Sequence, residues 1–160
     1  MAAAALSIIE YEDDLAQDFY DINAQWIESM FVLEDHDAHV LSNPRSVIID
    51  RGGVILFVAS PVLGIVGTCA LMKTGEGEFE LTKMGVLESA RGLKAGEFLL
   101  EHIIARAREL GAKRLYLLTS HKCEVAIHLY QKLGFAHSKA IMDEHGARYQ
   151  RCDVAMDYGF

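Results

Sequence analysis

The chain has 160 residues, 51% of them hydrophobic and 24% charged, enough to bury one core without metals or disulfides, so residues 1–160 read as a single domain. Fifteen Lys and Arg against 23 Asp and Glu give a net charge of −8, and no dense basic stripe offsets it, which excludes a nucleic-acid backbone binder. Cys69, Cys123 and Cys152 are odd in number and lack ligand spacing, so they read as free thiols in a reducing compartment, not a zinc site or a disulfide frame.

The opening MAAAALSII lacks a basic start and runs into EYEDD, so it reads as a short tail and a first strand, Leu6–Glu10, not as a signal peptide. No apolar run reaches the roughly 20 residues that span a bilayer, so no membrane role is expected and the cytoplasm is the default. From Asp14 to Phe31, Leu15, Phe19, Ile22, Trp26 and Met30 recur three and four apart, a helical stripe. EDHDAHVLSNP predicts a second short helix ending before Pro44, because the residue before proline avoids the α region. After the Arg51-Gly52-Gly53 turn, VILFVAS, VLGIVGTCALM and FELTKMGVL predict three antiparallel strands in a meander, the last two joined by KTGEG.

Ala95–Leu110 predicts a helix with Leu99, Ile103, Ala107 and Leu110 on one face and Gly111 as its stop. RLYLLTS is almost wholly apolar, as a parallel strand covered on both faces should be. Glu124–Leu133 predicts another helix ended by Gly134, and strands at Phe135–Met142 and Arg151–Tyr158 flank a turn at Asp143–Gly146. The order is β-α-α-β-β-β-α-β-α-β-β, an α/β sandwich with a mixed sheet.

Residues 80–100 carry the strongest functional signal. A strand enters a short loop, Arg91-Gly92-Leu93-Lys94-Ala95-Gly96, and a helix follows at once. Unpaired N–H groups and the positive end of a helix dipole meet there, which suits a phosphate group. It is not a Walker loop, since Glu97 follows Gly96 where that motif needs Lys and then Ser or Thr. A second block, AIHLYQKLGF at 126–135, is separated from the first by one helix and one strand.

Together the two blocks resemble the GNAT N-acetyltransferase superfamily. Its cofactor motif has Arg or Gln, two residues, Gly, one residue, then Gly or Ala; Arg91 and Gly96 fit, while Lys94 stands where the middle glycine belongs. That glycine tolerates unusual φ and close backbone approach, so Lys94 costs backbone energy if its φ is positive. In the second motif Ala126, Leu129, Tyr130, Gly134 and Phe135 match every named position. The resemblance is close over residues 78–136 and architectural before that. It implies the GNAT fold: a mixed, mostly antiparallel sheet with one splayed parallel pair of strands.

It also implies acetyl transfer from acetyl-CoA to a primary amine of a small molecule or peptide, by direct attack in a ternary complex and without a metal. The alternative is a non-catalytic acyl-CoA-binding module of the same fold, for which the Lys94 and Ser120 departures speak. On the family pattern the cofactor-binding residues are Met84, Gly85, Val86, Arg91, Gly92, Leu93, Lys94, Ala95, Gly96, Ser120 and Tyr130. Met84, Gly85 and Val86 would offer N–H groups to the oxyanion, with Gly85 marking a bulge or close approach. Ser120 stands where relatives often have Asn. Tyr130 is the family's general acid, and a phenol of pKa about 10 stays protonated to supply the leaving thiolate.

Glu80, 11 residues before Arg91, is the candidate base. On an extended strand it shares a face with Thr82 and Met84, and a solvated hairpin position is the competing reading, with a water chain then doing the base's work. His36 and His39 beside Asp35 and Asp37 read as a solvated face, not a metal site. Asp35 or Glu34 at the cleft would favour a cationic acceptor. Relatives often pair through their last strands, so a homodimer is a further expectation of the resemblance.

Overall fold

A computed structural model describes residues 5–90 and 92–160, so Arg91 of the predicted anion loop lies outside the described residues. The strands β1 (Ser7–Glu10), β2 (Val54–Ser60), β3 (Gly64–Gly75), β4 (Glu78–Val86), β5 (Arg114–Thr119), β6 (Phe135–His137) and β7 (Val154–Tyr158) form one sheet in the order β1-β2-β3-β4-β5-β7-β6. Only β4 and β5 run parallel, the rest pairing antiparallel. This is the expected α/β fold with its mixed sheet.

Helices cover both faces because the strands are apolar on both. On one side Phe19 and Ile27 of α1 (Ala16–Met30) and Val40 and Leu41 of α2 (Asp35–Ser42) pack on Ile55, Phe57, Ala70 and Met72. On the other, Leu99, Leu100, Ile103 and Ala107 of α3 (Ala95–Glu109) pack on Leu56, Val58, Leu71, Leu81 and Leu117, joined by Tyr130 of α4 (Glu124–Lys132). Leu110, predicted on the inner face of α3, is 41% exposed, since the helix has ended beside it. Trp26 is half-buried and Met30 exposed, so the end of the α1 stripe leaves the core.

The C-terminal region differs from the expected pair of strands. β6 stops at His137, and a helix α5 (Lys139–His145) follows where strand and turn were predicted. The Ser138 hydroxyl caps it by accepting from the Ile141 N–H at 3.2 Å, and Ile141 is its buried anchor. The run Ala140-Ile141-Met142 reads as strand, but its serine cap and Lys139–Asp143 pair four apart belong to a helix. β7 starts at Val154, not Arg151, which frees residues 149–153 to run beside the sheet. A π-helical turn, Arg45–Ile49, also lies between α2 and β2. Among the described residues no helix is long and apolar enough to cross a membrane.

Candidate active site

β4 and β5 pair only from Glu78↔Arg114 to Leu81↔Leu117. Beyond that point each strand continues without the other, so the edge of β4 from Thr82 to Val86 is left open toward β5. A cleft of about 800 Å3 occupies the gap and extends to the start of α3.

The opening is tied to a bulge in β4. In the β3 register Ala70 faces Thr82 but Thr68 faces Gly85, so Lys83 and Met84 together oppose Cys69. Lys83 has φ of 53°, one of two non-glycine residues in the left-handed region among those described. Its side chain is 2% exposed, and its ammonium donates to Asp37 Oδ1 at 2.8 Å and to the Tyr149 hydroxyl at 3.1 Å. Arg151 completes the cluster with bonds of 2.7 and 2.8 Å to the two oxygens of Asp37. Burial pushes the Asp37 carboxyl up, but the bonds from Arg151 and Lys83 outweigh it and hold the group well below the usual carboxylate range. α2, β4 and the 149–151 segment are thereby clamped at one carboxylate.

The bulge breaks the strand alternation. Glu80 and Lys83 lie on the α1/α2 face, while Met84 turns to the α3/α4 face, its sulfur 3.9 Å from the Tyr130 hydroxyl. Glu80, Thr82 and Met84 therefore do not share a face, as a regular strand would have had it. Gly85 is a close approach beside the bulge: a Cβ there would lie 2.6 Å from Cδ1 of Trp26, whose indole N–H is held by Asn23 at 3.0 Å.

At the far end of the cleft Gly92 has φ of 86° and Lys94 has φ of 58°. The positive φ at Lys94 is the backbone cost expected of a side chain at the motif's middle glycine. α3 then begins at Ala95, so the opening N–H groups of the helix have no intrahelical acceptor. Gly92, Lys94, Ala95 and Gly96 line the cleft, as do Met84, Gly85, Val86, Ser120 and Tyr130. Leu93 does not; it packs against the α3 side of the core. Tyr130 is 7% exposed, with burial raising its hydroxyl pKa, and the Phe135 ring meets it edge-on at 5.8 Å. The Ser120 hydroxyl accepts from the Lys122 N–H at 3.2 Å.

Glu80 is 1% exposed and is not part of the cleft lining. It is ion-paired with Arg148, which also donates to the Tyr116 hydroxyl at 3.2 Å. Burial raises its pKa against the opposing pull of Arg148 and Lys83. Thr82 and Tyr149, unlike Glu80, do line the cleft, and the Tyr149 hydroxyl accepts from the Lys83 ammonium.

Sequence reading passed over Lys83, Asp37, Tyr149 and Arg151. The visible signal was a lysine inside the largely apolar strand run LTKMGVL, since an ammonium buried there needs a partner. His36 and His39 gain no metal partner in Asp37, which is committed to Lys83 and Arg151. Glu78, Glu144 and His145 do converge, but Arg114 already bridges the two carboxylates at 3.0 and 2.7 Å.

A splayed parallel pair, a bulged β4 and a glycine-containing turn opening α3 converge on one cleft. The sequence model of the Acetyltransferase (GNAT) family matches residues 8–135. This chain belongs to the GNAT family. An acetyltransferase of the GNAT family from Staphylococcus aureus superposes with a TM-score of 0.85 at 22% identity, covering 96% of this chain and 98% of that one. The N-acetylglutamate synthase of Neisseria gonorrhoeae, solved with coenzyme A and N-acetylglutamate, gives 0.71 at 18% identity over 97% of this chain and 35% of its own. At these identities the likeness speaks for the GNAT fold. In sequence, an amino-acid acetyltransferase of Ralstonia nicotianae is 38% identical over 77 residues, which is 47% of this chain and 16% of that protein. The chain thus spans about a sixth of that relative's length.

Proposed function

We propose that this GNAT chain is an N-acetyltransferase that moves the acetyl group of acetyl-CoA to a primary amine of a small molecule or peptide. The observation that carries it is the continuous cleft running from the α3 N-terminus, through the gap between β4 and β5, to Tyr130. The residues fit the cofactor. The first turn of α3 and the cleft-lining Lys94 suit phosphate groups, and the open edge of β4 can take an extended arm by strand-like hydrogen bonds. Arg91, outside the described residues, is expected to add charge at the same turn.

Acetyl-CoA supplies an activated thioester. Of the backbone N–H groups of Met84, Gly85 and Val86, those that face the open edge of β4 rather than β3 are offered to the carbonyl oxygen as negative charge gathers on it. Tyr130, kept protonated by burial, holds the proton that the departing thiolate takes up. The amine must shed a proton before attack, since a lysine-like amine of pKa about 10.4 is mostly charged at neutral pH. Glu80, buried outside the cleft lining, serves as the proton's destination through intervening water rather than by touching the amine.

The indirect placement of Glu80 also favours a second reading, an acyl-CoA-binding module without turnover. Release of CoA thiol from acetyl-CoA, followed over a broad amine panel, separates the two. Amine-dependent release supports transfer, whereas binding of acetyl-CoA with no release from any amine supports the module. The cytoplasm and a homodimer remain part of the proposal as its expected setting.

A further inference from the structure

The α1 side of the cleft, across the sheet from the α3 turn where the phosphates are proposed to sit, leaves room for the acceptor and has a charge pattern that acetyl transfer by itself does not require. Trp26, Met30 and Phe31, from the end of α1, give it an apolar wall. Two cations stand around Phe31: the Lys122 ammonium and the Arg151 guanidinium each lie 5.6 Å from its ring centroid, and both line the cleft. The carboxylates that balance this region are turned away from it. Asp37 is fully buried behind Lys83 and Arg151, and Glu34 is held by the N–H of Gln150 at 2.9 Å and by Arg151. Neither lines the cleft; the acidic residues that do, Glu97 and Glu124, open α3 and α4.

Lys122 has no salt-bridge partner among the described residues and is exposed. Arg151 spends three of its N–H bonds on Glu34 and Asp37. A guanidinium has about five donors in all, so some remain for a ligand. With a net charge of −8 on the whole chain, a cationic mouth is a local feature and not a general one. A polyamine would meet like charge here, whereas a carboxylate would find two partners and an apolar side chain would find the α1 wall.

We propose that the acceptor is a primary amine bearing a carboxylate and an apolar side chain. Its carboxylate is bound by Lys122 and Arg151, and its side chain rests on Trp26, Met30 and Phe31. This deepens the proposed transferase reading and rests on it.

The test uses the full chain, acetyl-CoA and matched acceptors: L-methionine and L-phenylalanine, their primary amides, and the amines left on their decarboxylation. Thiol release should favour the free acids by about ten- to hundredfold in kcat/KM, the worth of a charge-assisted contact. Lys122→Glu should reverse that order while acetyl-CoA still raises the melting temperature of the variant. Amides or decarboxylated amines used as well as the acids would overturn the proposal. So would no release from any of them when acetyl-CoA still stabilises the protein. Loss of that stabilisation in the wild type would instead sink the transferase reading beneath it.

Discussion

Asp37→Asn removes the one charge on which Lys83 and Arg151 both depend. The side chains of Asp37, Lys83 and Arg151 are 0%, 2% and 14% exposed, so solvent cannot take over the lost role. Asparagine keeps the shape and one acceptor oxygen, which makes the loss electrostatic. Two cations then face each other, with Glu34 touching only Arg151. Removing one partner of a buried pair costs about 3–5 kcal/mol. That is a large share of a total stability of about 5–15 kcal/mol. At about 2–4 °C per kcal/mol for a chain of this size, the melting temperature should fall by about 6–20 °C. Urea unfolding followed by circular dichroism at pH 7 would show a lower midpoint with an unchanged slope. The pH dependence has a definite sign. A carboxyl held below its unfolded value stabilises fully above about pH 3.9, and the contribution is lost as pH falls toward the folded value. The gap between wild type and variant should therefore narrow below about pH 4. A loss under about 1 kcal/mol at pH 7, or a gap unchanged on acidification, would refute the reasoning. Lys83→Met should cost less, because Asp37 keeps both bonds from Arg151.

Tyr130→Phe should lower kcat at least tenfold, within the usual range for a lost general acid, while calorimetric affinity for acetyl-CoA stays near wild type. Equal turnover would remove Tyr130 as the proton source. Lys94→Gly should raise stability by about 1 kcal/mol by relieving the left-handed backbone, as read from urea midpoints, and Lys94→Ala should not. Gly85→Ala should destabilise by about 1–3 kcal/mol, because its Cβ would lie 2.6 Å from Trp26. A neutral effect would mean that α1 moves freely over β4.

Much of this fold was legible because its signals are local. The three- and four-residue spacing in α1 and α3, the apolar run of β5 and the turn glycines each speak for a few neighbouring residues. The motif at 126–135 likewise pointed to Tyr130, which lines the cleft, and the loop at 91–96 marked where α3 begins. What escaped depends on distant partners. The bulge at Lys83 is anchored by Asp37, 46 positions away, and it alone decides that Met84 looks toward Tyr130 while Glu80 does not. Arg148 lies between the expected turn and the last strand, and Arg151 where that strand had been expected to start, so their approach to Glu80 and Asp37 could not be anticipated. α5 was missed for a smaller reason, an apolar triplet outweighing a serine cap.

Thermal unfolding of the chain with and without acetyl-CoA tests the central claim most directly, since a ligand held between β4 and β5 must stabilise the folded state. At a concentration 100 times its dissociation constant the gain is about 2.7 kcal/mol, or a rise of about 5–11 °C. A rise of that order that saturates with acetyl-CoA is the expected result. No rise at millimolar acetyl-CoA would contradict the account.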